Sequence, residues 1–172
     1  MVSRKVNLIL RGLEFIFTLI VMALVGNIIA TAFAGNPASI NFDMFVVTFG
    51  MLSLFYLIAV AFNDSFAGHP IIPIALDLLN TIFYFCAAVN MAAQLGVHSC
   101  DNDTYTHSNE ITNGSDDTEG RCREAQASTA FLWFAWACWT VSLFFTIVGA
   151  RSSGANLRGG IGRRGAPAMS QV

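Results

Sequence analysis

Few residues in this 172-residue chain have the type and setting to do chemistry, and the most conspicuous are ionisable groups inside apolar runs. Glu14 lies six residues past Leu8, and Asp77 lies six residues past Ile71. At 1.5 Å per helical residue both carboxyls fall about 9 Å from the same end of their helices. Arg11 is three residues before Glu14, on the same helical face, and can reach Asp77 if the two helices are neighbours. With Asn80 one turn further on, these groups predict an intramembrane polar cluster of Arg11, Glu14, Asp77 and Asn80. Such a cluster suits either a proton or ion relay or a structural clamp that fixes helix register. A relay needs acids or bases across the whole membrane, and the far halves of the apolar runs offer none, which favours the clamp. Asp77, Asn80, Thr81 and Tyr84 extend a polar stripe along one helix face, and that stripe should face protein rather than lipid.

A second group of candidates is extramembranous. Cys100 and Cys122 bracket a strongly acidic segment, whereas Cys86 and Cys138 fall inside apolar runs. On an outward-facing loop the first pair is expected as a disulfide, with two free thiols as the alternative. Closing a loop of that length contributes roughly 3 kcal/mol in the chain-entropy account. Asn102-Asp103-Thr104 and Asn113-Gly114-Ser115 match the glycosylation acceptor, so Asn102 and Asn113 are candidate sites. Asn63-Asp64-Ser65 matches too, but on the side expected to be cytosolic. His69, His98 and His107 are not at metal-ligand spacing, and no phosphate loop, H-E-x-x-H or G-x-S-x-G motif occurs. The expectation is a non-enzymatic protein with no metal and no cofactor.

The elements that must position these residues follow from composition. Hydrophobic residues make up 55% of the chain and charged ones 12%, with a mean hydropathy of +0.58. These values lie outside the range of water-soluble domains. Four runs are long enough to cross a core of roughly 30 Å and none covers two passes. They predict helices over about residues 8–34, 44–62, 71–95 and 128–150. Continuous apolarity favours helices over the alternating strands of a membrane barrel. The fold class is therefore all-α, a four-transmembrane-helix bundle over residues 1–150, with a loop over 96–127 and a disordered basic tail over 151–172. Pro70 and Pro73 read as a start signal for the third helix.

Arg4, Lys5 and Arg11 open the first helix, and Arg151, Arg158, Arg163 and Arg164 follow the last, so the positive-inside rule puts both termini in the cytosol. The loop over 96–127 carries a formal charge of −5 and should face outward. Arg4, Lys5, Arg151, Arg158, Arg163 and Arg164 can gather anionic inner-leaflet lipid at about 1 kcal/mol each. Phosphorylation of Ser152, Ser153 or Ser170 would weaken that contact. A net charge of −2 gives no electrostatic case for nucleic acid. Ala30-Thr31-Ala32 or Ala32-Phe33-Ala34 would suit signal-peptide cleavage, but the apolar stretch before them exceeds the usual 7–15 residues, which favours a retained helix. Small residues at Gly26, Ala30 and Ala34 and at Ala88 and Ala92 permit close helix approach within the bundle or between copies. Trp133, Trp136 and Trp139 read as core or lipid packing, with a sterol or sphingolipid groove as the minority reading.

The loop residues His98-Ser99-Cys100-Asp101-Asn102, Ser108-Asn109, Ile111-Thr112, Gly114-Ser115, Arg121-Cys122-Arg123 and Ala125-Gln126-Ala127 are distinctive. With Leu76-Asp77-Leu78-Leu79-Asn80 and the final Ser170-Gln171-Val172, they resemble the fungal non-classical export protein family of four-helix MARVEL-domain proteins. That resemblance implies a plasma-membrane organiser of furrow-like, eisosome-associated microdomains that responds to sphingolipid and affects export of proteins lacking signal sequences. It also implies self-association, eisosome proteins and membrane transporters as partners, and an organising role for the tail, at Arg158, Arg163 and Arg164. The rival classes are a small transporter or channel using Glu14 and Asp77, and a trafficking adaptor for membrane proteins.

Overall fold

The computed structural model describes residues 4–33 and 35–152. Ser153, Arg158, Arg163, Arg164 and Ser170 lie outside the described residues. Four long helices form the bundle: α1 (Arg4–Ala30), α2 (Ala38–Phe62), α3 (Ile71–Leu95) and α5 (Thr118–Ser152), with the short α4 (Asp103–Thr106) in the long loop. All four are long and apolar enough to cross a membrane, and no strand occurs among the described residues. The helices run alternately up and down. One end of the bundle gathers the start of α1 and the end of α5, and the other carries the disulfide loop.

Each helix buries one stripe and turns the rest outward. Ile9 and Ile16 on α1, Leu52 and Phe55 on α2, Ile82 on α3, and Phe134 and Phe144 on α5 are exposed large apolar side chains. This inside-out exterior is what a bilayer solvates and water does not. α1 packs against α2 and α5, and α3 packs against the same two helices, so α1 and α3 face each other across the bundle diagonal. Val21, Val25, Val46, Val47, Ala87 and Met91 fill the half of the axis nearer the disulfide loop and are fully buried.

The start of α3 at Ile71 follows from Pro70 at its N-cap and Pro73 in the first turn, where a missing N–H leaves no bond unmade. Its end follows from Gly96, whose φ of 58° is open to glycine at little strain. Other bounds differ from the charge-free runs. α1 spans 4–30 rather than 8–34, and α2 begins at Ala38 rather than near 44, because Asp43 lies on its buried face instead of in a loop. α5 begins at Thr118 rather than near 128, so part of the expected loop over 96–127 is helix. That first stretch is charged yet helical: Glu119 pairs with Arg123 one turn on, and Arg121 turns inward.

Candidate functional site

Three polar layers cross the bundle axis between α1, α3 and α5. The first lies about 10 Å from the terminal end, counted along the helices. Arg11 donates to Asp77 through both terminal nitrogens, at 2.7 and 2.8 Å, and to Glu14 at 2.9 Å. Thr146 of α5 donates to the same Asp77 carboxylate at 2.7 Å. Arg11 is 2% exposed and both acids are 0% exposed, so this is an ion cluster removed from lipid and water alike. A planar guanidinium can serve two carboxylates at once where an ammonium cannot reproduce the fork.

The second layer lies one turn deeper. Glu14 on α1, Asn80 on α3 and Ser142 on α5 occupy it, all buried. Asn80 donates to the Leu76 carbonyl at 2.9 Å, and Ser142 faces Glu14. The third layer joins Thr18 and Tyr84 by a hydroxyl–hydroxyl hydrogen bond of 2.7 Å, with the Tyr84 ring beside Trp139 and pressed against Gly50. Trp139 also sits under the Arg11 guanidinium, 5.6 Å from its centre, a cation–π contact inside the bundle.

The structure thus brings Arg11, Glu14, Asp77 and Asn80 together on one axis. Sequence reasoning missed Ser142 and Thr146, which are two of several hydroxyls on the last helix and carry no distinguishing spacing. It also missed Asp43, a fully buried acid on α2 whose two carboxyl oxygens have no hydrogen-bond partner. Asp43 is an acid in the half of the membrane where the sequence reading found none. Between it and Tyr84 the axis is filled by the valines, Ala87 and Met91 already described, so no polar chain connects the two.

The opposite end is a stapled cap. Cys100 and Cys122 form a disulfide, with Cα atoms 5.6 Å apart, while Cys86 and Cys138 are free. Arg121, 2% exposed, donates to the carbonyl of Ile28 in the last turn of α1 at 2.6 Å and to that of Ile111 at 2.7 Å. It also reaches Asn36 in the α1–α2 connection. Tyr105 of α4 caps α3 by donating to the Leu95 carbonyl at 2.6 Å, and burial pushes its phenol above the ordinary value. Asn102 and Asn113 are exposed on this cap, and Asn102 also accepts from the Tyr105 backbone. Arg4 donates to the Ala61 carbonyl in the last turn of α2, so it neutralises a helix C-terminus as well as lying at the bundle end. Lys5 and Arg151 are exposed there, and Ser152 is the last residue of α5.

Residues 3–145 match the MARVEL family model, described as a membrane-associating domain. The chain is 39% identical over 168 residues to the non-classical export protein 102 of Candida albicans, covering 96% of this chain and 97% of the relative. It is 33% identical over 171 residues to the non-classical export protein 2 of Saccharomyces cerevisiae, covering 95% and 96%. A homologue of the latter in the same yeast is 32% identical over the full length of both chains. No solved structure matches. With four apolar helices, a buried ion cluster and full-length likeness to these relatives, the chain belongs to the MARVEL-domain non-classical export protein family of multi-pass membrane proteins.

Proposed function

We propose that this protein is a non-enzymatic organiser of the fungal plasma membrane, gathering lipid and protein into eisosome-associated microdomains and thereby affecting non-classical protein export. The observation that carries this reading is the division of labour between interior and surface. The Arg11–Asp77 and Thr18–Tyr84 interactions close on themselves along the axis, and all four long helices turn large apolar side chains outward. Such a surface acts on lipids and on other membrane helices. The names of the relatives support a part in export, and the family support membrane association.

In this reading the apolar faces mediate contact between copies, and the basic residues Arg4, Lys5, Arg151, Arg158, Arg163 and Arg164 collect anionic inner-leaflet lipid. Sphingolipid or sterol state sets how many copies gather, and eisosome proteins and transporters share the patch. The transporter reading is disfavoured by the apolar fill between Tyr84 and Asp43. Imaging the tagged protein in yeast before and after blocking sphingolipid synthesis tests the proposal. Immobile patches that disperse on the block support it, and a uniform, insensitive distribution contradicts it.

A further inference from the structure

The connection between α2 and α3 exposes more apolar surface than a turn in water would keep. It is a single 3-10 turn, Asp64–Ala67, opened by Asn63, whose side chain accepts from the Ser65 N–H at 3.0 Å. Phe66 on this turn is 62% exposed, and Phe62, Ile71 and Ile72, which flank it at the ends of α2 and α3, are exposed as well. One hydrogen bond gives the depth of the turn. Tyr56 lies six residues before the end of α2 at Phe62, about 9 Å inside the helix end, and its hydroxyl donates to the Ala67 carbonyl at 2.8 Å. A tyrosine side chain and one hydrogen bond together span no more than that, so the turn folds back beside α2 and Ala67 lies no further out than the helix end. The headgroup level is marked separately. Arg4 donates to the Ala61 carbonyl at 3.2 Å and Lys5 beside it is exposed, so the basic start of α1 stands level with the last turn of α2.

We propose that this turn is an interfacial lipid anchor: Phe66 inserts into the leaflet at the terminal end, at the boundary of headgroups and acyl chains, with Arg4 and Lys5 on the anionic headgroups around it. An aromatic ring at this level leaves water without needing a protein partner, and the positive charge beside it adds attraction to anionic lipid. The Asn63 cap and the Tyr56 bond hold the turn in place from within the chain, so insertion does not have to order it. A soluble partner seated here would have to displace the headgroups that Arg4 and Lys5 gather. A second copy would bring its own Arg4 and Lys5 to the same level, and like charges disfavour that contact. The connection between α2 and α3 is therefore a lipid contact and not a free loop. This inference goes beyond the organiser reading and does not depend on it.

The test attaches an environment-sensitive fluorophore at Phe66→Cys in the purified full chain, on a Cys86→Ser, Cys138→Ser background that leaves the disulfide intact. The protein is reconstituted into phosphatidylcholine vesicles with and without phosphatidylglycerol, and nitroxide-bearing lipids report depth. The expected result is blue-shifted emission, quenched about twofold more strongly by a nitroxide high on the acyl chain than by one near its end. Quenching should be stronger in the anionic vesicles, and equal quenching in both overturns the part given to Arg4 and Lys5. Water-like emission that neither nitroxide quenches overturns the anchor and leaves the face to a soluble partner. Blue-shifted emission that turns water-like as the copies are diluted with lipid overturns it in favour of a second copy. If Phe66→Cys fails to fold, Ser65→Cys carries the same fluorophore on the same turn, and the same outcomes decide.

Discussion

Arg11 and Asp77 meet through two parallel hydrogen bonds of 2.7 and 2.8 Å across the bundle, joining two helices, α1 and α3, that do not pack side by side. The pair therefore fixes the diagonal that apolar packing alone leaves adjustable. Two turns deeper, Thr18 and Tyr84 repeat the device on the same diagonal.

Replacing Arg11 by Met should leave Glu14 and Asp77 buried together without a counter-charge, at a cost of about 3–5 kcal/mol. Arg11→Lys should recover only part of this, because a single ammonium does not reproduce the two-nitrogen fork on Asp77. The thermal midpoint in detergent checks both. Adding Asp77→Leu to Arg11→Met should restore much of the loss by removing one of the stranded acids.

Gly50 is required for the close approach of α2 to the Tyr84 ring. A Cβ at this position would stand 2.5 Å from Tyr84 Oη and 3.0 Å from its nearest ring carbon. Gly50→Ala should therefore displace the tyrosine and break its bond to Thr18, destabilising the fold by about 1–3 kcal/mol. Gly50→Ala combined with Tyr84→Phe should be less damaging than the two separate losses added together.

Arg121 ties three segments of the disulfide cap to one side chain. Arg121→Met should strand the Ile28 and Ile111 carbonyls, each costing about 1–3 kcal/mol. Amide exchange in the last turn of α1 and around Ile111 should rise, while exchange at the Arg11 layer stays unchanged. Equal exchange at both ends would contradict this division.

The Cys100–Cys122 bridge holds the cap to the start of α5. A Cys100→Ser, Cys122→Ser protein should lose about 3 kcal/mol of stability and show no mobility difference between reducing and non-reducing gels. The parent chain should show that difference, and Cys86→Ser with Cys138→Ser should leave it intact.

The legible parts of this molecule are those where a local rule acts alone. Pro70, Pro73 and Gly96 mark both ends of α3, and the three-residue step from Arg11 to Glu14 puts both on the face of α1 that meets Asp77. The equal depth expected of Glu14 and Asp77 does not hold, because α1 starts at Arg4 and Glu14 lies a turn deeper. Charge, by contrast, misleads at Asp43 and at Thr118–Ala127. At Thr118–Ala127 the helix continues through ionisable residues because the cap and neighbouring turns accept them, whereas Asp43 is buried on α2 with neither oxygen partnered; in both places a count of charge-free residues stops short. Ser142 and Thr146 are silent for a different reason. Hydroxyls are common on membrane helices, and only the packing of α5 against α3 selects these two.

The most direct test of the organiser account is reconstitution of the purified full-length protein into giant vesicles containing fluorescent anionic lipid. The account predicts that the protein alone gathers into patches enriched in that lipid, and that Glu14→Gln with Asp77→Asn leaves the patches in place wherever the bundle folds. A uniform protein distribution with no lipid enrichment would contradict it and favour a trafficking adaptor, while ion or solute flux abolished by those two substitutions would favour a transporter.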